Sequence, residues 1–219
     1  MKKIIFLDFK LLKSMPFIII GLFLSSIILK AYVDNGSLTR IDQNVLTFNF
    51  ADTFFILLMT CIFYLQAQKY DQLRKLKATP WYESLPMNKS EILKSNLFIV
   101  IFPHLFLLVF ASVFYSINDD FFKFHGMMMM FGLSLIMNGL MIIFDIKNQL
   151  IYIIIVGFGG ALFIIAFGFH YLLVMNDFNM NLNLEDNLYW NFYLYELPYI
   201  LTFIGIITCF SSYWIKKQL

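Results

Sequence analysis

Apolar residues in this chain come in long uninterrupted runs rather than in short alternations. Six runs approach the roughly 20 residues a helix needs to cross a hydrocarbon core about 30 Å thick. They are Pro16–Val33, Phe50–Ala67, Asn96–Ile117, Phe124–Phe144, Leu150–Val174 and Pro198–Trp214. The pattern predicts an all-α integral membrane protein, a single transmembrane domain over residues 1–219 with six spans. Only Asp145–Gln149 separates the fourth run from the fifth, which forces an antiparallel hairpin. The first run is short, so Lys30 has to snorkel from its outer end. It could be taken for a signal peptide, but Pro16–Val33 has no small-residue cleavage site and more apolar runs follow. A retained span is expected.

Composition agrees. Of 219 residues 60% are hydrophobic and 14% charged, against about 25% charged in soluble domains. A mean hydropathy of +0.75 leaves too little polar surface for a water-facing globule. The net charge of +2 gives no reason to expect nucleic acid as a partner. Both cysteines, Cys61 and Cys209, lie inside apolar runs and make neither a disulfide framework nor a metal site.

The basic residues set the orientation. Thirteen of them, from Lys2 through Lys69, Arg74, Lys75, Lys77, Lys89 and Lys94 to Lys217, fall on one side of the six spans. Lys30, Arg40 and Lys123 fall on the other. That asymmetry puts both termini and the Gln68–Ser95 loop in the cytoplasm of a multi-pass cell-membrane protein. Met1–Met15 sets Ile4, Ile5, Leu11 and Leu12 against Lys3, Lys10 and Lys13. This is an amphipathic helix for the cytoplasmic interface, or a simple basic flank of the first span. The outer segment Met175–Leu197 contains no Lys or Arg, and its second half is too apolar for a solvated loop. It dips into the outer interface, or forms an aromatic belt before the last span.

No catalytic signature is present. A Walker A loop, H-E-x-x-H and G-x-S-x-G are all missing, so no ATP-binding, metalloprotease or nucleophile-elbow chemistry is expected of this chain. No catalytic residue, metal or cofactor is assigned to it. Gly157 and Ala161, four apart in the fifth run, are read as a helix-packing pair. Asn138 in the fourth run is read as an interhelical hydrogen-bonding residue. His104, next to Pro103, has two readings: a proton relay, or a partner for the backbone carbonyl that Pro103 frees. The run Met127–Met130 is either a pliable surface for greasy ligands or gap-filling and lipid-facing side chains.

The Gln68–Ser95 loop is the most informative connection. Pro80 should stop a preceding helical segment near Thr79, and Asn88 with Glu91 forms a cap pair that starts a helix into the third span. Between them Trp81 and Tyr82 stand beside the single carboxylate Glu83 in a basic setting. Such content reads as a docking surface for another protein, or as an interfacial belt against lipid headgroups. The stretch Tyr82-Glu83-Ser84-Leu85-Pro86-Met87-Asn88-Lys89-Ser90-Glu91-Ile92 resembles a motif of ABC-2 type transporter permeases. In that family it also lies between spans two and three, and the N-terminal helix, six spans and outer segment resemble the family layout.

That resemblance implies a permease subunit with no ATPase site of its own, the architecture of a type V ABC exporter. ATP and Mg would be bound by a separate cytoplasmic ABC ATPase subunit. A second permease subunit, identical or different, would complete the pathway through the bilayer. Lys77, Trp81, Tyr82, Glu83, Ser84, Leu85, Pro86 and Lys89 would form the ATPase-coupling segment. Within the family the overall look is nearest to exporters of phenol-soluble modulins, so the implied cargo is an amphipathic cytolytic peptide. Two other readings remain: a membrane adaptor for peptide immunity or sensing that does not pump, and an intramembrane enzyme. The enzyme would need a facing pair of ionisable residues within the spans.

Overall fold

The computed structural model describes residues 8, 10–12, 14–34, 57–75, 77, 88–117, 121–144, 149–175 and 192–218. Among them there is no strand. The helices are α1 (Met15–Asp34), α2 (Leu65–Lys75), α3 (Lys89–Ile117), α4 (Phe121–Ile143), α5 (Gln149–Met175) and α6 (Leu197–Gln218). Residues 57–63 are helical and lead into α2, and a π-helical turn, Phe192–Glu196, leads into α6. Three helices are long and apolar enough over described residues to cross a membrane: Ser90–Val109, Phe124–Ile143 and Leu197–Gln218. Shorter apolar stretches occupy Pro16–Ser25 in α1 and Leu150–Ala166 in α5. The chain is a helical membrane protein.

α4 is the centre. Its apolar window is 78% buried, against 39% in α3 and 28% in α6. Met127, Met128, Met129 and Met130 are all buried. Four consecutive residues at 100° intervals sweep the whole circumference of a helix, so α4 is enclosed on every side there. The methionines are therefore core fillers and do not face lipid. Met127 and Met128, with Met59, Leu107 and Phe131, line an apolar cavity of only about 10 Å³.

α6 lies against α4 along a single stripe of Pro198, Thr202, Gly205, Cys209 and Ser212. The three- and four-residue spacing of that stripe is the coiled-coil seam pattern. Small residues let the two backbones approach closely. A Cβ on Gly132 would sit 2.5 Å from the backbone of Leu201 and Thr202, and one on Gly205 2.8 Å from the Gly132 carbonyl oxygen. Thr202 Oγ1 donates to Met128 O at 3.0 Å across the seam. The opposite face of α6, including Phe203 and Phe210, is exposed, as a lipid-facing surface should be.

The structure places Gly157 and Ala161, read from the sequence as a helix-packing pair, away from the other helices of the chain. Both residues are exposed on the outer face of α5, and a Cβ on Gly157 meets nothing within 4 Å. The close approaches fall at the next positions: Gly159 backs onto the Met137 side chain and Gly160 onto the Tyr64 hydroxyl. Phe163, one turn further on, packs against Phe63 with ring centroids 4.6 Å apart and the planes tilted by 42°. The inward face of α5 is set by these contacts, which turn the 157/161 pair away from the chain.

At one end of the molecule the starts of α3 and α5, the end of α6 and α2 come together. Ser90 Oγ at the start of α3 is 2.9 Å from Tyr213 Oη near the end of α6. Tyr152 at the start of α5 donates to Ala67 O at 3.4 Å, and the Arg74 guanidinium lies over its ring. Leu11 and Leu12 are buried, Leu11 beside Leu73 and Leu12 in the main core, while Lys10 is exposed. Leu11 and Leu12 are thus covered by protein.

Candidate functional site

Eight of the twelve buried polar residues among those described form a connected set. It begins where the N-terminal segment meets α2 and α3. Asp8 Oδ1 pairs with Lys69 Nζ at 2.6 Å, and both side chains are fully buried. Ser95 Oγ donates to Asp8 Oδ2 at 2.7 Å, and Lys69 Nζ also donates to Asn96 Oδ1. Burial pushes the Lys69 ammonium below its ordinary range, and Asp8 opposes that shift through its charge and hydrogen bond. Two charges out of water are tolerated only when the pair is close and its remaining hydrogen bonds are made. Among the described residues, Ser95 and Asn96 each supply one such bond.

The set continues through α2 to α4. Gln66 Nε2 donates to Asn96 O at 3.2 Å. The Gln66 backbone N–H donates to Asn138 Oδ1 at 3.2 Å. In an unbroken helix that N–H would bond Ile62 O. Instead the ladder is interrupted at Tyr64, although Tyr64 N still reaches Thr60 O and Gln68 N still reaches Tyr64 O. Asn138 Nδ2 donates to Ser134 O at 2.8 Å and lies 3.3 Å from both Ile62 O and Phe63 O. One carboxamide thus accepts from the freed donor and donates to the freed acceptor. Its orientation is fixed by chemistry, because the reverse would face an oxygen to three carbonyls and an NH₂ to an N–H. A side chain inserted into the ladder is a recognised cause of a helix break, and inside a membrane the freed groups must be satisfied by protein.

From Ser134 the set reaches His104. His104 Nε2 is 2.8 Å from Ser134 Oγ, and Nδ1 is 2.6 Å from Val100 O. A carbonyl only accepts, so Nδ1 carries the proton, and in a neutral ring Nε2 then accepts from the Ser134 hydroxyl. Pro103 removes the donor that would have served Ile99 O; His104 serves Val100 O, the next carbonyl. Its bonded partners are neutral.

The arrangement holds helices in register. It connects the N-terminal segment, the 57–75 region, α3 and α4 through hydrogen bonds made entirely out of water. Carboxamides at Gln66 and Asn138 interrupt it chemically, since an amide donates and accepts without readily passing a proton on. No group of three or more His, Cys, Asp or Glu able to hold a metal exists among the described residues. A separate aromatic cluster surrounds His125 of α4: the Tyr195 and Tyr199 rings stand edge-on at 5.2 and 5.5 Å. It ties the π-turn and the start of α6 to α4.

Of the proposed coupling residues, Trp81, Tyr82, Glu83, Ser84, Leu85 and Pro86 lie outside the described residues, as does most of the Met175–Leu197 segment. Lys77 is exposed and takes a left-handed conformation, φ 49°, with its N–H on Arg74 O at 3.0 Å. That turn ends α2 at Lys75, earlier than the Thr79 limit that Pro80 sets. Lys89 opens α3. Asn88 caps that helix, its Oδ1 accepting from Ser90 N at 3.1 Å. Asp71 pairs with Lys75 at 2.5 Å and Arg74 at 3.1 Å, and the Lys75 hydrogen bond holds its carboxyl below the usual range.

Asp8, Gln66, Lys69, Ser95, Asn96 and Ser134 were not singled out from the sequence. One signal was available: Asp8 is the sole carboxylate in a strongly basic segment. Comparison with protein-family models gave no match, and comparison with curated proteins and with solved structures gave none.

Proposed function

We propose that this chain is the permease subunit of an ABC exporter of the ABC-2 type. It crosses the cell membrane six times with both termini in the cytoplasm. Separate ATPase subunits bind ATP and Mg, and a second permease subunit completes the pathway. The cargo is a short amphipathic cytolytic peptide of the phenol-soluble modulin kind.

The observation that carries this reading is the Tyr82–Ile92 sequence block together with the position of its roots. The loop leaves from α2 and returns into α3, and the Lys69, Ser95 and Asn96 cluster ties these two helices together. A loop with cross-linked roots passes a push to the membrane helices instead of absorbing it, which coupling requires. Lys10, Arg74, Lys75, Lys77, Lys94, Lys216 and Lys217 belong to the segments gathered at the same end. Such clustering supports a cytoplasmic face there. The scarcity of ionised groups inside the helices suits a greasy peptide better than an inorganic ion.

The test is copurification in mild detergent. A separate ATPase should accompany the wild-type chain. Buried interface aromatics often contribute about 2 kcal/mol or more, so Trp81→Ala should reduce ATPase recovery by about 30-fold. Glu83→Lys should do the same by removing a charge pairing with the ATPase. Full recovery with both variants would remove the coupling segment from this loop. Export that persists when the ATPase is lost would favour the adaptor reading.

A further inference from the structure

α2 buries a polar face. Its inward residues include Gln66, Lys69 and Gln72, three apart, with Leu65 and Leu73 beside them. Most buried faces in this molecule are apolar and have no reason to part. A face held by hydrogen bonds can separate from its neighbours if water reaches the freed groups, because water replaces what the protein releases. Both ends of α2 are also discontinuities. It begins at the break at Tyr64 that Asn138 bridges, and it ends in the left-handed turn at Lys77.

Between these ends lies an incomplete point. Gln66 Oε1 is buried and has no hydrogen-bond partner among the described residues. A native protein rarely leaves a buried acceptor unmet, so this atom marks a position where the present packing of α2 is not fully satisfied. The ion pair has the opposite character. Asp8 comes from a different segment and holds Lys69 from outside the helix, while Ser95 and Asn96 hold the pair from α3.

We propose that α2 is a hinged lever. Its pivot is the helix break at Tyr64, with Asn138 as the bridging residue that keeps the break satisfied. Its clasp is the Asp8–Lys69 pair on Ser95 and Asn96. Opening must hydrate both charges together, since either one left alone in the interior is far costlier than the pair. The lever therefore has two discrete positions, closed on α3 or open to water. The N-terminal segment governs the choice, because among the described residues Asp8 is the member of the clasp that belongs to neither helix. This device concerns the chain by itself and does not depend on a partner ATPase or on transport.

Spin-label distance measurement in lipid nanodiscs tests it. Labels go on Lys75→Cys at the end of α2 and Lys217→Cys at the end of α6, both exposed, with Cys61→Ala and Cys209→Ala removing the native thiols. The clasped chain should give one narrow distance. Asp8→Asn should raise a second, displaced population by about tenfold or more. The double variant Asp8→Leu/Lys69→Leu replaces the charged clasp with an apolar one and should return to a single narrow distance. Should Asp8→Asn fail to accumulate as folded protein, Asp8→Glu misplaces the carboxylate by one methylene and carries the same expectation. A single wild-type distance in the Asp8 variant would overturn the lever. So would a double variant as broad as the single one.

Discussion

Asn138 replaces a backbone hydrogen bond with a side chain. Its carboxamide accepts from Gln66 N and donates toward Ile62 O, the two groups a continuous helix would have joined directly. Asn138→Ala leaves both without that bridge where no water is at hand. Each orphaned group costs about 1–3 kcal/mol. For a chain of this size about 2–4 °C of melting temperature is lost per kcal/mol, so thermal unfolding in detergent should begin several degrees lower. Asn138→Asp should fall at least as far, because an ionised carboxylate cannot donate to Ile62 O. Unchanged melting of both variants would mean the break is satisfied some other way. The sequence shows Asn138 as a polar residue in an apolar run, but not its partner. Ile62, Phe63, Tyr64, Leu65 and Gln66 contain no Pro or Gly, so nothing local announces a break. Lys69 was hidden for a related reason. Counted by side of the membrane it is one cation among many, and its pairing with Asp8 is a tertiary event with no local spacing to reveal it.

At the scale of elements, α4 and α6 pack by absence of side chains. Gly132→Leu would drive a branched side chain into the backbone of Leu201 and Thr202. Overpacking typically costs about 1–3 kcal/mol, and more where backbone must move. Gly157→Leu meets open space, and replacing a helical glycine there should be neutral or gain up to about 1 kcal/mol. Melting of the two variants side by side should split them in opposite directions. Equal loss in both would contradict the assignment of inward and outward faces. Apolar runs located helices directly where the chain is described: the predicted run Leu150–Val174 sits inside α5, and the Asn88 cap starts α3. Facing was harder to read. Gly157, Gly159 and Gly160 lie within one turn, and which of them faces a neighbour depends on the rotation of α5 about its axis. Aromatic contacts at Tyr64 and Phe163 set that rotation, and no short motif encodes it.

For the whole molecule, the proposed orientation in the membrane can be checked by labelling. Cysteines placed at Ser37 and Asn183 should react with a membrane-impermeant maleimide in intact cells, and one at Lys77 should react only after the membrane is opened. Reaction at Lys77 from outside would invert the topology. The central claim, however, is that this chain carries a peptide outward at the expense of ATP hydrolysed by a partner. Inside-out membrane vesicles from cells with and without the chain, given a fluorescent amphipathic peptide, test it most directly. The account predicts ATP-dependent accumulation only when the chain is present, abolished by Glu83→Lys while membrane abundance stays at the wild-type level. Equal accumulation in vesicles lacking the chain, or accumulation indifferent to ATP, would contradict it.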